Sequence, residues 1–137
     1  MNLHGTAAML ELARKMSKLE VFVHVSTAYS HCYMNTSIEE KFYVGNLHTQ
    51  QRFWDIVLSD DGRNMEIEDL QKYCNTYTCA KNITESYISR YCQDLPVVIV
   101  RPSIVCASWK EPIPGWVDNK SALTGECYIS GVGTILI

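Results

Sequence analysis

The sequence predicts an α/β domain built on a parallel sheet. Two short runs, Val21–Val25 and Val97–Val100, are β-branched and apolar almost throughout, as strands buried on both faces are. A helix-period segment precedes each of them. The resulting order (helix, strand, long connection, helix, strand) is the alternation of a parallel βαβ arrangement. Only two such strands are visible. Two parallel strands can neither cover both faces of a sheet nor protect its edges, so the chain reads as part of a larger α/β domain. At 137 residues it has the length of one domain and not two.

The first helix is expected over Thr6–Leu19, with Met9, Leu12, Ala13, Met16 and Leu19 as its apolar face and Glu11, Arg14, Lys15 and Lys18 turned away. Gly5 would give a tight entry to it. The strand Val21–Val25 ends in Ser26-Thr27-Ala28-Tyr29, small hydroxyl residues where open α/β sheets place their ligands. Residues 30–74 are the least regular part. Phe53, Trp54, Ile56, Val57 and Leu58 suggest a short helix, Asp60–Asn64 a turn, and Ile67 and Leu70 a further apolar pattern. So long a connection reads either as a substrate lid or as an unrelated surface excursion. Asn75 or Thr76 caps a second helix over Tyr77–Gln93, with Ile83, Tyr87, Ile88 and Tyr91 on one face. Asp94-Leu95-Pro96 ends it, and the second strand runs into Arg101-Pro102-Ser103-Ile104-Val105. After Trp109 the chain is loop-like, with Pro112, Pro114, Gly115, Gly125, Gly131 and Gly133.

Composition removes several classes. The formal charge of −3 and scattered cations give no footprint for nucleic acid. The longest apolar run, Leu95–Val100, is far short of the ~20 residues of a transmembrane helix, and the N-terminus lacks the pattern of a signal peptide. The six cysteines form no Cys-x-x-Cys pair and read as reduced thiols, mostly core filler. Three glycosylation sequons, at Asn35, Asn82 and Asn119, read as chance matches. His24 and His31 have no carboxylate or thiol at ligand spacing, so no metal site is expected; they read as a core and a loop histidine. No Gly-x-Ser-x-Gly elbow occurs.

The candidate chemistry is Thr27 (or Ser26) with Tyr77 and Lys81. Residues four apart on a helix share a face. A free phenol is too weak an acid for proton transfer near neutrality, and an adjacent ammonium together with the positive end of a helix favours its ionised form. A hydroxyl at the strand end could hold a substrate carbonyl oxygen while the phenol protonates it. The Tyr-x-x-x-Lys pair alone is a weak signal. It gains weight from a Ser-Thr strand end upstream and an Arg-Pro strand end downstream, which a parallel sheet brings to one edge.

Val25-Ser26-Thr27-Ala28-Tyr29, Asn75-Thr76-Tyr77-Thr78-x-x-Lys81 and Val98–Val105 closely resemble fatty acyl-CoA reductases, the male-sterility-type group of the extended short-chain dehydrogenase/reductase superfamily. Asn2-x-x-Gly5-Thr6, Ile38–Lys41 and Trp109–Asn119 extend the resemblance over nearly the whole chain. The resemblance implies a partial Rossmann-type parallel sheet with flanking helices, lacking the N-terminal dinucleotide-binding βαβ unit, with residues 1–137 as a single partial NAD(P)-binding domain. It implies NADPH as cofactor and reduction of long-chain fatty acyl-CoA to a primary alcohol. Tyr77 would be the general acid, Lys81 would assist it and hold the nicotinamide ribose, and Thr27 would be the hydroxyl partner, with Ser26 the runner-up. The implied cofactor-binding set is Ser26, Tyr77, Lys81, Pro102, Ser103 and Ile104. The Pro112–Trp116 loop would lie near the acyl-CoA or serve as a rigid connector.

This sequence departs from the family's pattern in several places. It holds no Gly-x-x-Gly-x-x-Gly turn for the pyrophosphate, and Gly131-x-Gly133 has no strand-to-helix context to replace one. Cys74, Cys79, Ala80 and Asn82 stand where the family commonly has Pro, Tyr, Thr and Ala. The expectation is therefore an internal piece, inactive alone, of an intracellular enzyme whose relatives sit at peroxisomal or endoplasmic-reticulum membranes through parts outside this piece. The alternatives are another extended reductase or epimerase, and a non-catalytic truncated or degenerate copy.

Overall fold

The computed structural model describes residues 2–43, 51, 52, 54, 55 and 71–118. The chain divides into two compact units, Met1–Pro102 and Ser103–Ile137. The short helix and turn expected across residues 53 and 56–70 lie outside the described residues, although Gln51, Arg52, Trp54 and Asp55 have helical backbone. The glycines at 125, 131 and 133 and the sequon at Asn119 also lie outside them.

The first unit holds helix α1 (Asn2–Arg14), strand β1 (Phe22–Val25), a 3-10 turn (Ala28–His31), helix α2 (Thr76–Tyr91) and strand β2 (Val97–Val100). The α/β architecture and the parallel pairing follow the expectation. β1 and β2 run parallel with Phe22 opposite Val97 and Val25 opposite Val100. The ladder continues past both strand ends, because Ser26 N–H donates to the Val100 carbonyl (2.8 Å) and Ala28 N–H to the Pro102 carbonyl (2.9 Å).

Burial of the strands departs from the expectation of two covered faces. Phe22, His24, Val97 and Ile99 turn toward the helices, and Val21, Val23, Val25, Val98 and Val100 on the opposite side are exposed. A β-branched run reads as buried on both sides from sequence alone, but its period of two fixes only which residues share a face. Whether anything covers that face is a tertiary matter.

α1 starts earlier and ends earlier than expected, and Gly5 lies inside it rather than before it. Its buried stripe is Leu3, Leu10 and Ala13, and Met9, Leu12 and Met16 are exposed. Leu3 and Leu10 are seven apart, two helical turns, and set the face that packs on α2. Arg14 pins the end of α1 to the end of α2, donating to the Asp94 carboxylate (2.9 Å) and to the Tyr91 carbonyl (2.5 Å).

α2 is capped as expected: the Asn75 side chain accepts from Thr78 N–H at 2.9 Å. Its buried side is wider and more polar than the predicted stripe. Thr78, Asn82, Thr84, Glu85 and Ser86 are buried beside Cys79, Ile83 and Ile88, whereas Tyr91 is exposed. Thr84 and Ser86 satisfy their hydroxyls on the carbonyls four residues back, at 2.8 and 3.0 Å, so their burial leaves no orphaned donor. One apolar cluster joins Leu3, Trp54, Tyr73, Cys79 and Ile83; the other joins Leu10, Ile88 and Cys92 to the inner sheet face. Among the described residues no helix is long and apolar enough to cross a membrane.

In the second unit a loop is closed by Gly115 N–H donating to the Ser108 carbonyl (2.8 Å) and Ser108 N–H to the Trp116 carbonyl (2.9 Å). Gly115 has φ +82°, a left-handed turn position that favours glycine.

Candidate active site

The parallel register brings two chain segments together at the carboxyl ends of the strands. Ser26 and Thr27 leave β1 there, and Arg101 and Pro102 leave β2 beside them. Thr27 is buried and extended (φ −151°), and it caps the 3-10 turn by accepting from Tyr29 N–H at 3.3 Å. Its hydroxyl proton remains available to an acceptor. The Ser26 hydroxyl is committed elsewhere: it donates to Glu85 of α2.

α2 approaches this edge with its first two turns. Lys81 donates to the Val25 carbonyl at 2.8 Å, at the last residue of β1. Its Nζ lies 5.8 Å from the centre of the Tyr77 ring. Tyr77 is 51% exposed, and among the described residues its hydroxyl has no hydrogen-bond partner. The structure thus brings Tyr77 and Lys81 to the end of β1, where Ser26, Thr27 and Pro102 also lie. Ser103 and Ile104 open the second unit with exposed side chains, and the site described is confined to the first.

Beneath these residues lies a buried polar network that the sequence reading did not identify. Glu85, 2% exposed, accepts from Arg101 through Nε (3.1 Å) and Nη2 (2.7 Å), from His31 Nε2 (3.1 Å) and from Ser26. Asn82 donates to His31 Nδ1 (3.0 Å) and accepts from the Tyr73 hydroxyl (2.8 Å), which puts the imidazole proton on Nε2, facing Glu85. Arg101 also donates to the Lys41 carbonyl at 3.0 Å. Burial pushes the Glu85 carboxyl up, but hydrogen bonds from His31, Arg101 and Ser26 outweigh it and hold the group down to about 2.

Two expectations need correction. His31, read as a loop histidine, is 1% exposed inside this network. Of the five described cysteines only Cys79 and Cys92 are buried in the core; Cys32 is half-buried, and Cys74 and Cys106 are exposed. His24 is a core residue as expected. Burial pushes its imidazole below the ordinary value, Lys81 acts the same way, and Nε2 is without a partner among the described residues.

The signal that could have found the network is the spacing Tyr77, Lys81, Glu85. Three polar residues four apart share one helix face, and the third also falls opposite the arginine that ends β2.

Comparison with known proteins agrees with the resemblance. The NAD-binding family model described as male sterility protein matches residues 1–136. Fatty acyl-CoA reductase wat of Drosophila melanogaster is 38% identical over 136 residues, 97% of this chain and 26% of that protein. Fatty acyl-CoA reductase 1 of Xenopus laevis is 39% identical over 137 residues, covering 98% and 26%. Human fatty acyl-CoA reductase 2 is 36% identical over 135 residues, covering 97% and 26%. The chain spans about a quarter of the length of these relatives (26%). No solved structure matches it significantly.

Proposed function

Because the chain belongs to the NAD-binding male sterility protein family, we propose that it carries the catalytic groups of an NADPH-dependent enzyme reducing long-chain fatty acyl-CoA to the primary alcohol. We propose it as one partial Rossmann-type domain, working in a cell at a peroxisomal or endoplasmic-reticulum membrane. The observation that carries the reading is Lys81, hydrogen-bonded to the end of β1 and beside a half-exposed phenol whose hydroxyl has no partner among the described residues. That is the edge where open α/β sheets bind their ligands.

The residues present fit a nicotinamide ribose. Among the described residues Lys81 uses one ammonium proton on Val25 and has two left to donate, and the Tyr77 hydroxyl has no partner. When bound, two dinucleotides in turn would supply one hydride each: the first to the thioester carbonyl carbon, with CoA leaving as its thiol to give the aldehyde, and the second to the aldehyde carbon. Thr27 holds the carbonyl oxygen with its hydroxyl, and Tyr77 delivers a proton to that oxygen as charge builds on it. Lys81 grips the ribose and keeps a positive charge beside the phenol. Thr27 suits the hydroxyl role better than Ser26, whose hydroxyl already serves Glu85. In the cofactor set, Ser26 and Pro102 contribute from the strand ends; Ser103 and Ile104 carry the same proposal from their place in the sequence motif alone. The departures at Cys79 and Asn82 support a maintained fold, since both are buried and Asn82 makes two side-chain hydrogen bonds.

The test is NADPH oxidation with a long-chain acyl-CoA by the protein that carries these residues. Tyr77→Phe lowers kcat about 10²–10⁴-fold, the usual worth of a general acid, and leaves NADPH affinity within a few fold. A rate within tenfold of wild type removes Tyr77 from the chemistry. Turnover of a sugar nucleotide in preference to acyl-CoA makes the protein a different extended reductase or epimerase. The isolated 137 residues, which hold no Gly-rich pyrophosphate turn, show little or no turnover.

A further inference from the structure

We propose that Cys32 and Cys74 form a redox modification site, a dithiol that closes reversibly into an intramolecular disulfide. Their sulfur atoms lie 3.3 Å apart although the residues are 42 positions apart in sequence. A disulfide needs about 2.05 Å, so a sulfur movement of roughly 1.2 Å completes the bond. Both thiols meet solvent, Cys32 half-buried and Cys74 exposed, so an oxidant can reach them.

The other described cysteines lack one or both of these conditions. Cys79 and Cys92 are buried, and burial pushes the Cys79 thiol up to about 11. Cys106 is exposed but has no thiol neighbour among the described residues. Nor do Cys32 and Cys74 suit a metal: among the described residues no group of three or more His, Cys, Asp or Glu side chains is placed to hold one, and two thiols do not complete a zinc site.

The oxidant is a small disulfide of the glutathione type. A thiolate of the pair attacks it, forming a mixed disulfide and releasing one small thiol. The second protein thiolate then attacks the protein sulfur of that mixed disulfide and releases the other. Two electrons pass from the protein pair to the oxidant, and the two protons end on the released thiols. The hydrogen bond and proximity of Cys32 hold the Cys74 thiol above its ordinary value, so closure accelerates as pH rises.

The bond would join two segments that matter. Cys32 closes the 3-10 turn that Thr27 caps, and Cys74 immediately precedes Asn75, the cap of the helix bearing Tyr77. The disulfide chemistry itself does not depend on the reductase reading.

The experiment treats the reduced full-length protein that carries these residues with oxidised glutathione, blocks remaining thiols by alkylation and maps unreduced peptides by mass spectrometry. A parallel sample in concentrated urea gives the pairing of the unfolded chain. The native sample yields the Cys32–Cys74 pair at least about tenfold over any other, dithiothreitol reverses it, and Cys74→Ser stops at a glutathione adduct on Cys32. The proposal is overturned if native pairing matches pairing in urea, if Cys106 is captured as readily, or if the product is an intermolecular dimer.

Discussion

Replacing Glu85 by Gln is expected to cost about 3 kcal/mol of stability at pH 7, and that cost is expected to shrink in acid. The glutamine keeps the shape of the side chain, but Ser26 and His31 bond different oxygens of Glu85 and only one oxygen remains to accept, so the substitution removes the charge together with one acceptor. The carboxyl has an ordinary value of 4.5 and is held at about 2 in the folded chain. A gap of that size corresponds to roughly 3 kcal/mol at 1.36 kcal/mol per unit. Because the folded value is depressed, the contribution is full above about pH 4.5 and is lost as pH falls toward 2. By pH 3 more than half of it is gone, because the unfolded chain binds more protons than the folded one over this window. The assay is urea unfolding of wild type and Glu85→Gln at pH 7, 5, 4 and 3, followed by circular dichroism. The Arg101 guanidinium keeps its carbonyl acceptors on Lys41 (3.0 Å) and Glu39 (3.4 Å), which limits the further penalty of an unpaired cation. A difference below 1 kcal/mol at pH 7, or one that stays constant down to pH 3, would refute the view that this carboxylate is ionised and strongly held in the fold.

Three further outcomes test other parts of the structure. Leu10→Ala, at a fully buried position between α1, α2 and the sheet, lowers the unfolding free energy by about 2–5 kcal/mol in the same urea assay; a loss under 1 kcal/mol contradicts the packing of α1. Asn75→Ala removes the acceptor for Thr78 N–H and costs about 1 kcal/mol, with Asn75→Asp nearly neutral. Equal losses in both variants would show that the cap is not the cause. Lys81→Met, in the protein assayed with NADPH and acyl-CoA, raises the KM for NADPH and lowers kcat together; unchanged constants would leave Lys81 with its structural bond to Val25 and no more.

The sequence by itself determined the class and order of the elements. Apolar β-branched runs at 21–25 and 97–100 have little choice but to be strands, and Asn75 before a helix-period stretch is a cap by its own chemistry. The Ser-Thr and Arg-Pro strand ends and the four-residue spacing of Tyr77 and Lys81 were equally legible, because they depend on local geometry alone. Tertiary structure decided what those elements face. It left Val23, Val25, Val98 and Val100 exposed, turned Leu3 and Leu10 inward in place of Met9 and Leu12, and gathered Glu85, Arg101 and His31 in one network. The physical reason is that a charge is read from sequence as solvated, and its burial becomes tolerable only when partners distant in the chain arrive to satisfy it. Glu85 meets His31 across 54 residues and Ser26 across 59, and Cys32 meets Cys74 across 42. No periodicity in the chain encodes meetings of that kind; the parallel register of two strands does.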